Sequence, residues 1–238
     1  IAIPTLNYKK LRETYDSARK LNVNHIKIVP RIYNYEKPEI NLKTLEDISI
    51  EDLIGRQSVM VDYKGIKGFL NNKSVLVTGA GGSIGAEIVT HVCAFEPEKV
   101  ILFDIDETEL HNMGLRLERF LPLAVERCHF ITGDVRDEVR VKEIFAEFRP
   151  QIVFHAAAYK HVPMMEHNPK EAVKVNIFGT YTLARIAAES HVEKFVMIST
   201  DKAVKPTSVM GATKRVAEYI CKTFNAVNES THQPANQS

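Results

Sequence analysis

Two groups of residues in this 238-residue chain have the types and spacing to do chemistry. The first is Ser199-Thr200-Asp201-Lys202, with Met210-x-x-x-Lys214 shortly after it. A carboxylate beside an amine can take and return protons, and the Thr200 hydroxyl is at hand as hydrogen-bond support. The second group is Thr78-Gly79-Ala80-Gly81-Gly82-Ser83-Ile84-Gly85. Glycines at this spacing let the backbone turn tightly and come close to a ligand. Ser83, Ile84 and Gly85 would then open a helix whose unpaired N–H groups face an anion. That is chemistry suited to a diphosphate.

Both groups need a scaffold, and from Lys73 onward the sequence alternates strictly between short apolar runs and amphipathic stretches. The expected strands are Ser74–Val77, Val100–Phe103, Cys128–Thr132, Ile152–His155 and Phe195–Ser199. The expected helices are Ser83–Phe95, Thr108–Leu121, Glu138–Phe148, one opened by Pro169 and running to Ser190, and Gly211–Phe224. Apolar strands of this length between amphipathic helices predict an α/β fold, a doubly wound parallel sheet of the Rossmann type. The glycine turn falls between the first strand and the first helix, the context that gives it meaning. Open α/β sheets bind ligands at the carboxyl ends of their strands, where Thr200, Asp201 and Lys202 also fall.

The remaining binding residues follow from that frame. Asp104 closes the second strand about 20 residues beyond the last glycine, where an acid grips an adenosine ribose. Its carboxylate would repel a 2′-phosphate and no Arg or Lys stands beside it, so NAD is favoured over NADP. Asp106 and Glu107 read as residues that favour the start of the next helix. Asp134 and Val135, just past the third strand, are placed to meet the adenine edge; Gly133-Asp134 could equally be a simple turn. Ala156, Ala157 and Ala158 are small enough to let the backbone approach the dinucleotide, with Lys160 near its phosphates or those of a substrate. Asn176 and Lys214 complete the cofactor set, Lys214 holding the nicotinamide ribose. His155 reads as a packed strand-end histidine, and nothing clusters with it or His161 to hold a metal.

Residues 1–69 have a different texture and are expected to form a small α/β segment and linker arm ahead of a Rossmann domain at 70–238. They contain a strand at Ile1–Ile3, a helix at Tyr8–Leu21 with Leu11, Tyr15, Ala18 and Leu21 in step, and a strand at His25–Val29. An irregular stretch follows. Asn225–Ser238 is polar and holds no sixth strand, so the fold is expected to stop short of a substrate domain. With Lys plus Arg at 31 and Asp plus Glu at 30, nothing favours nucleic acid or an anionic surface. No apolar run reaches the roughly 20 residues a membrane span needs. Cys93, Cys128 and Cys221 are far apart in sequence and read as buried structural thiols in a reducing compartment.

These strings carry a resemblance. The chain is similar to the extended short-chain dehydrogenase/reductase superfamily, whose usual Tyr-x-x-x-Lys pair falls on Met210 and Lys214. Within it, Val77 through Gly85, His155 through Glu166 and Ser199 through Arg215 resemble the bacterial nucleotide-diphosphate-sugar 4,6-dehydratases of capsule, O-antigen and protein-glycan biosynthesis. Glu51-Asp52-Leu53-Ile54-Gly55-Arg56 resembles the segment those enzymes carry before their Rossmann core. Met210 departs from the superfamily, although the long membrane-attached dehydratases share it. A methionine neither accepts nor donates the proton that hydride abstraction from a hydroxyl requires, so another group must.

The resemblance implies a lyase that uses NAD to oxidise the sugar C4 hydroxyl, loses water across C5 and C6 and returns the hydride to C6. On that reading Lys202 takes the C5 proton and Asp201 serves the hydroxyls, including the departing C6 oxygen. Lys202 would need its pKa lowered by burial or by a cation such as Lys214. The resemblance also implies a UDP-sugar substrate, UDP-N-acetylglucosamine first, and a homo-oligomer. It places the protein in the cytoplasm, the parent attached to the cytosolic face of the inner membrane by helices upstream of Ile1. Two alternatives stay open. A 4-epimerase or dehydrogenase on the same substrate class oxidises C4 without needing a C5 base. A catalytically silent nucleotide-binding module would fit the absent tyrosine.

Overall fold

The computed structural model describes residues 8–23, 25–28, 46–47 and 63–231. The chain divides into two units, Ile1–Gly65 and Ile66–Ser238. In the first, α1 (Tyr8–Lys20) half-buries Leu11, Tyr15 and Ala18, three positions on one helical face. Leu21 falls beyond the helix and is 78% exposed, so the expected stripe stops at Ala18. Asn22 ends the helix in the left-handed conformation that asparagine tolerates. β1 (Lys27–Ile28), shorter than expected, pairs antiparallel with β2 (Glu46–Asp47), which the sequence reading missed. The expected strand Ile1–Ile3 and the segment Glu51–Arg56 lie outside the described residues.

A helix not expected from the sequence, α2 (Tyr63–Leu70), leads into the second unit. There β3 (Ser74–Thr78), α3 (Ser83–Ala94), β4 (Lys99–Asp104), α4 (Glu107–Phe120), α5 (Pro122–Val125), β5 (Cys128–Thr132), α6 (Glu138–Phe148) and β6 (Ile152–His155) follow in turn. The chain continues through α7 (Val162–His167), α8 (Pro169–Ala172), a π-helical stretch Val173–Gly179, α9 (Thr180–Glu189) and β7 (Lys194–Met197). A 3₁₀ turn Asp201–Ala203 and α10 (Val209–Thr231) complete it. The five strands are all parallel, in the order β5-β4-β3-β6-β7. The chain steps outward from β3 to β5, then crosses back to β6. The order therefore reverses beside β3, at the crevice where such folds bind ligands.

The strand residues alternate between two cores. Val75, Val77, Val100 and Leu102 face one side with Val89 and Val92 of α3 and Leu110, Met113 and Leu117 of α4. Leu76, Ile101, Phe103 and Val153 face the other, against Val141, Ile144 and Phe145 of α6 and Leu183, Ile186 and Ala187 of α9. Period-two alternation with both faces apolar is what makes the strand sequences read as continuous hydrophobic runs. Each fully buried side chain of this kind contributes about 1.5–3 kcal/mol.

Caps set the helix starts. Asp106 accepts from the N–H groups of Thr108 and Glu109, and Asp137 from those of Val139 and Arg140. The expected helix from Pro169 to Ser190 is interrupted by the wider π turns, and the last helix begins two residues earlier than expected and runs on to Thr231. α7 was not expected; it is too short for a periodic signal. No helix among the described residues is long and apolar enough to cross a membrane.

Leu183 is fully buried against the α6 face of the sheet. Truncation to alanine would leave a void there, so Leu183→Ala should lower unfolding stability by about 2–5 kcal/mol in urea titrations. A loss below about 1 kcal/mol would mean this second core is not packed as described.

Candidate active site

The site grows from the end of β3. Gly79 has φ +67°, and a Cβ there would come within 2.6 Å of the Ala157 nitrogen, so only glycine fits between this turn and the end of β6. At Gly85 a Cβ would run into the Gly79 carbonyl oxygen, which is how α3 packs down on its own entry turn. Gly82 stands at the helix's cap position and supplies no side-chain acceptor. The first N–H groups of α3, on Ser83, Ile84 and Gly85, thus have neither an intrahelical carbonyl nor a capping side chain. The result is a glycine-walled cradle lined with N–H donors, which fits a diphosphate.

Other expected residues gather around it. Asp104, at the end of β4, accepts from the Gly81 N–H through Oδ2 at 2.8 Å and from the Asp106 N–H through Oδ1 at 3.1 Å. Its carboxylate is tied to the cradle yet only half-buried. Lys160 Nζ lies 3.1 Å from Ser83 Oγ, at the mouth of the α3 N-terminus. Ala156, Ala157 and Ala158 are half-buried at the end of β6.

Asp134 and Val135 are placed differently from one another. Val135 is buried and packs where Gly179 offers no side chain. Asp134 is engaged by Arg136, which donates through Nη2 at 2.6 Å and Nε at 2.8 Å, and Arg136 Nη1 reaches Glu171. Partial burial opposes ionisation of Asp134, but the Arg136 hydrogen bonds win and hold its pKa below the usual range. Arg136 and Glu171 were not singled out from the sequence; the Asp134-x-Arg136 spacing was the available signal.

Asn176 sits in the π-helical stretch, 1% exposed, and its side chain is spent on the protein. Oδ1 accepts from the Tyr159 N–H; Nδ2 donates to the Tyr159 carbonyl and to Thr213 Oγ1. It clasps the loop after β6 to α10, rather than presenting a free group to a cofactor.

His155 is fully buried, as a packed strand-end residue should be. Its Nδ1 lies 2.7 Å from Thr78 Oγ1 and its Nε2 lies 2.9 Å from Thr180 Oγ1. Thr180 gives its only hydroxyl proton to the Asn176 carbonyl. His155 must therefore donate from Nε2 and accept at Nδ1, the neutral tautomer. Burial, aided by the positive charge of Lys214, pushes its pKa down to about 3.

At the end of β7 the acid–base candidates come together on the surface. Thr200 Oγ1 donates to Asp201 Oδ1 at 2.9 Å, and Lys202 Nζ lies 3.4 Å from the same oxygen. The Thr200 bond, then Lys202, hold the Asp201 pKa below the ordinary range, so it stands as a carboxylate. The Lys202 side chain is 55% exposed. The burial expected of Lys202 is therefore absent. Lys214 is itself buried, with Nζ 2.6 Å from the Ile198 carbonyl, and burial lowers the pKa of that amine instead. Met210 is 3% exposed and packs on Met165 and Ala172, turned into an apolar cluster. Gly211 lets the Lys202 carbonyl press against the start of α10. Two further contacts escaped the sequence reading: Glu166 accepts from the Val209 N–H at 2.7 Å, and Ser199 donates to Glu218 at 2.6 Å.

A parallel sheet in this order, with a glycine cradle at its switch point, defines a Rossmann fold of the extended short-chain dehydrogenase/reductase type. Residues 75–236 match the family described as polysaccharide biosynthesis protein, and the chain belongs to that family. It is 44% identical over 231 residues to the capsular polysaccharide biosynthesis protein CapD of Staphylococcus aureus, covering 97% of this chain and 38% of that protein. It is 34% identical over 160 residues to an inverting UDP-N-acetylglucosamine 4,6-dehydratase of Campylobacter jejuni, covering 66% of this chain and 44% of that enzyme. Among solved structures, the UDP-glucose 4-epimerase of Thermotoga maritima, crystallised with UDP-glucose, matches at 26% identity with a TM-score of 0.56. That match covers 65% of this chain and 52% of the epimerase. Further neighbours, at 20–22% identity and alike in fold alone, were crystallised with NAD. The chain thus spans less than half the length of the two curated relatives named.

The state of His155 has a consequence for stability. Unfolded, a histidine takes up a proton below its ordinary pKa of 6.5, whereas here it resists doing so until about pH 3. Stability should therefore be full above pH 6.5 and fall as the pH drops through that window, by up to about 1.4 kcal/mol per pH unit from this group. His155→Gln should remove that component. Unfolding free energies measured from pH 7 to 4 should decline less steeply in the variant; parallel curves would show that His155 is not buried as the neutral base.

Proposed function

We propose that this chain is the NAD-binding catalytic half of a nucleotide-sugar 4,6-dehydratase that acts on a UDP-sugar, UDP-N-acetylglucosamine first, in polysaccharide biosynthesis. The observation that carries the reading is Asp201 and Lys202 side by side, hydrogen-bonded and exposed at the carboxyl end of β7, while the position of the superfamily tyrosine holds a buried methionine. Proton transfer must run through the exposed pair.

The cradle of Gly79, Gly81, Gly82, Ser83, Ile84 and Gly85 would hold the cofactor diphosphate, with Lys160 adding positive charge at its mouth. Asp104 would take the adenosine ribose, and with no cation among the described residues bonded to it a 2′-phosphate would be repelled; NAD is preferred over NADP. Asp134 and Val135 border the adenine end, and Ala156–Ala158 allow close approach. When bound, the cofactor supplies reversible acceptance of a hydride.

The residues divide the proton work. Asp201, held as a carboxylate, accepts the C4 hydroxyl proton as that carbon is oxidised, with Thr200 orienting it. Lys202, once deprotonated, takes the C5 proton, which the adjacent C4 ketone has acidified. The C6 oxygen leaves as water with the proton that Asp201 carries, and Lys202 returns its proton to C5. Substrate closing over this exposed pair would exclude water and supply the desolvation that Lys202 needs to act as a base near neutral pH. Lys214, bound to the Ile198 carbonyl in this structure, would reach the nicotinamide ribose by exchanging that bond.

A 4-epimerase reading draws on the epimerase likeness, but it leaves Lys202 without a task. In the full-length protein, Lys202→Met should still bind NAD by calorimetry, with affinity changed less than about threefold, while solvent deuterium no longer enters the sugar at C5. Retained exchange in the variant would remove Lys202 from the mechanism. Formation of an epimer with no 4-keto-6-deoxy product by the wild type would decide for the alternative.

A further inference from the structure

Cys93 and Cys128 are 35 positions apart in sequence, yet the fold sets their sulfurs 3.6 Å from each other. Cys93 lies near the C-terminal end of α3 and Cys128 is the first residue of β5, and Cys128 Sγ also donates to the Ala124 carbonyl at 3.3 Å. The two thiols differ in access. Cys93 is 4% exposed, packed among Val89, Val92 and Leu117, whereas Cys128 is half-buried at the rim of the same core. They differ in acidity as well. The hydrogen bond from Cys93 lowers the pKa of Cys128, while that contact and burial raise the pKa of Cys93. The less buried residue is also the one whose thiol pKa is lowered. Neither takes any part in the chemistry proposed above.

We infer that Cys93 and Cys128 are a peroxide-oxidisable dithiol that closes into a reversible intramolecular disulfide. The Cys128 thiolate attacks one oxygen of a hydroperoxide and breaks the O–O bond; the other oxygen leaves and takes up a proton as water or alcohol. Cys128 is then a sulfenic acid. The Cys93 sulfur attacks the Cys128 sulfur, an S–S bond forms, and the hydroxyl leaves as water with the Cys93 proton. Two electrons have passed from the two sulfurs to the peroxide. The sulfurs must close from 3.6 Å to a bond of about 2.05 Å. The bond would staple α3, whose opposite end forms the N–H-lined cradle, to the edge strand of the sheet.

The test is thiol counting and peptide mapping on the folded chain before and after hydrogen peroxide. The three thiols of the untreated protein should fall to one, with a Cys93–Cys128 cross-linked peptide two mass units lighter than the reduced pair, and return to three with dithiothreitol. Cys221→Ser should fall from two thiols to none. In Cys93→Ser, Cys128 should gain oxygen and form no cross-link within the chain. The inference is overturned if all three thiols still react after a dose that fully oxidises glutathione, circular dichroism confirming the native fold. A cross-link that maps to Cys221, or joins two chains, overturns it as well. The wild-type map decides the matter even if a variant fails to fold, and it does so whether or not the chain binds NAD.

Discussion

The architecture turns on one close approach, that of the α3 entry turn to itself and to β6. Gly79 must lie against the Ala157 backbone, and Gly85 must lie against the Gly79 carbonyl. These contacts leave no room for a side chain at either glycine, and because Gly82 brings no capping side chain the first turn of α3 keeps its N–H groups uncovered. A glycine at the cap position costs roughly a few tenths of a kcal/mol relative to a Ser, Thr, Asp or Asn cap. α4 and α6 avoid that cost with Asp106 and Asp137, whereas α3 does not. A ligand carrying negative charge is the natural complement of that omission, and Asp104 closes the cradle's flank through the Gly81 N–H.

A buried chain of hydrogen bonds ties this cradle to the other end of the crevice. It runs from Thr78 through His155 to Thr180 and the Asn176 carbonyl, and the Asn176 side chain continues it to Tyr159 and Thr213. Every member is satisfied, so the chain fixes one arrangement of β3, β6, the π-helical stretch and α10 without leaving a costly orphan. The π turns follow from this arrangement: they accommodate a helix that both packs on the sheet and turns Asn176 inward. Such interruptions recur at functional sites.

The alternating strands, the glycine turn and the place of Asp104 could be read from the sequence because each rests on local pattern. Period-two burial and cap chemistry act over a few residues, and β5, α6 and β6 have the bounds their sequences predict. What escaped depends on partners far away in the chain. The Arg136–Glu171 pair, the Asn176 clasp, the burial of Met210 against Met165 and the meeting of Cys93 with Cys128 all join residues from different elements. Asn176 illustrates the difference: its donors and acceptor are consumed by the loop after β6 and by Thr213, partners that no local pattern reveals. Lys202 illustrates it in reverse, since its neighbour Asp201 was evident and its exposure was not.

Electrostatics bears on why Asp201 and Lys202 lie outside while Lys214 lies inside. Lys214 is buried beside a histidine that cannot relieve its charge, because His155 is neutral and already committed on both ring nitrogens. The Ile198 carbonyl is its direct partner at 2.6 Å. Burial outweighs the favourable influence of Cys221 and Glu218, so the amine is held below its ordinary pKa. The same cation would oppose formation of a second one in its immediate surroundings. A tyrosine at position 210 would normally use such a lysine to lower its own pKa; a buried methionine cannot. In the proposed mechanism proton transfer therefore shifts to the 3₁₀ turn before α10, to a carboxylate and an amine that stay solvated until a substrate covers them.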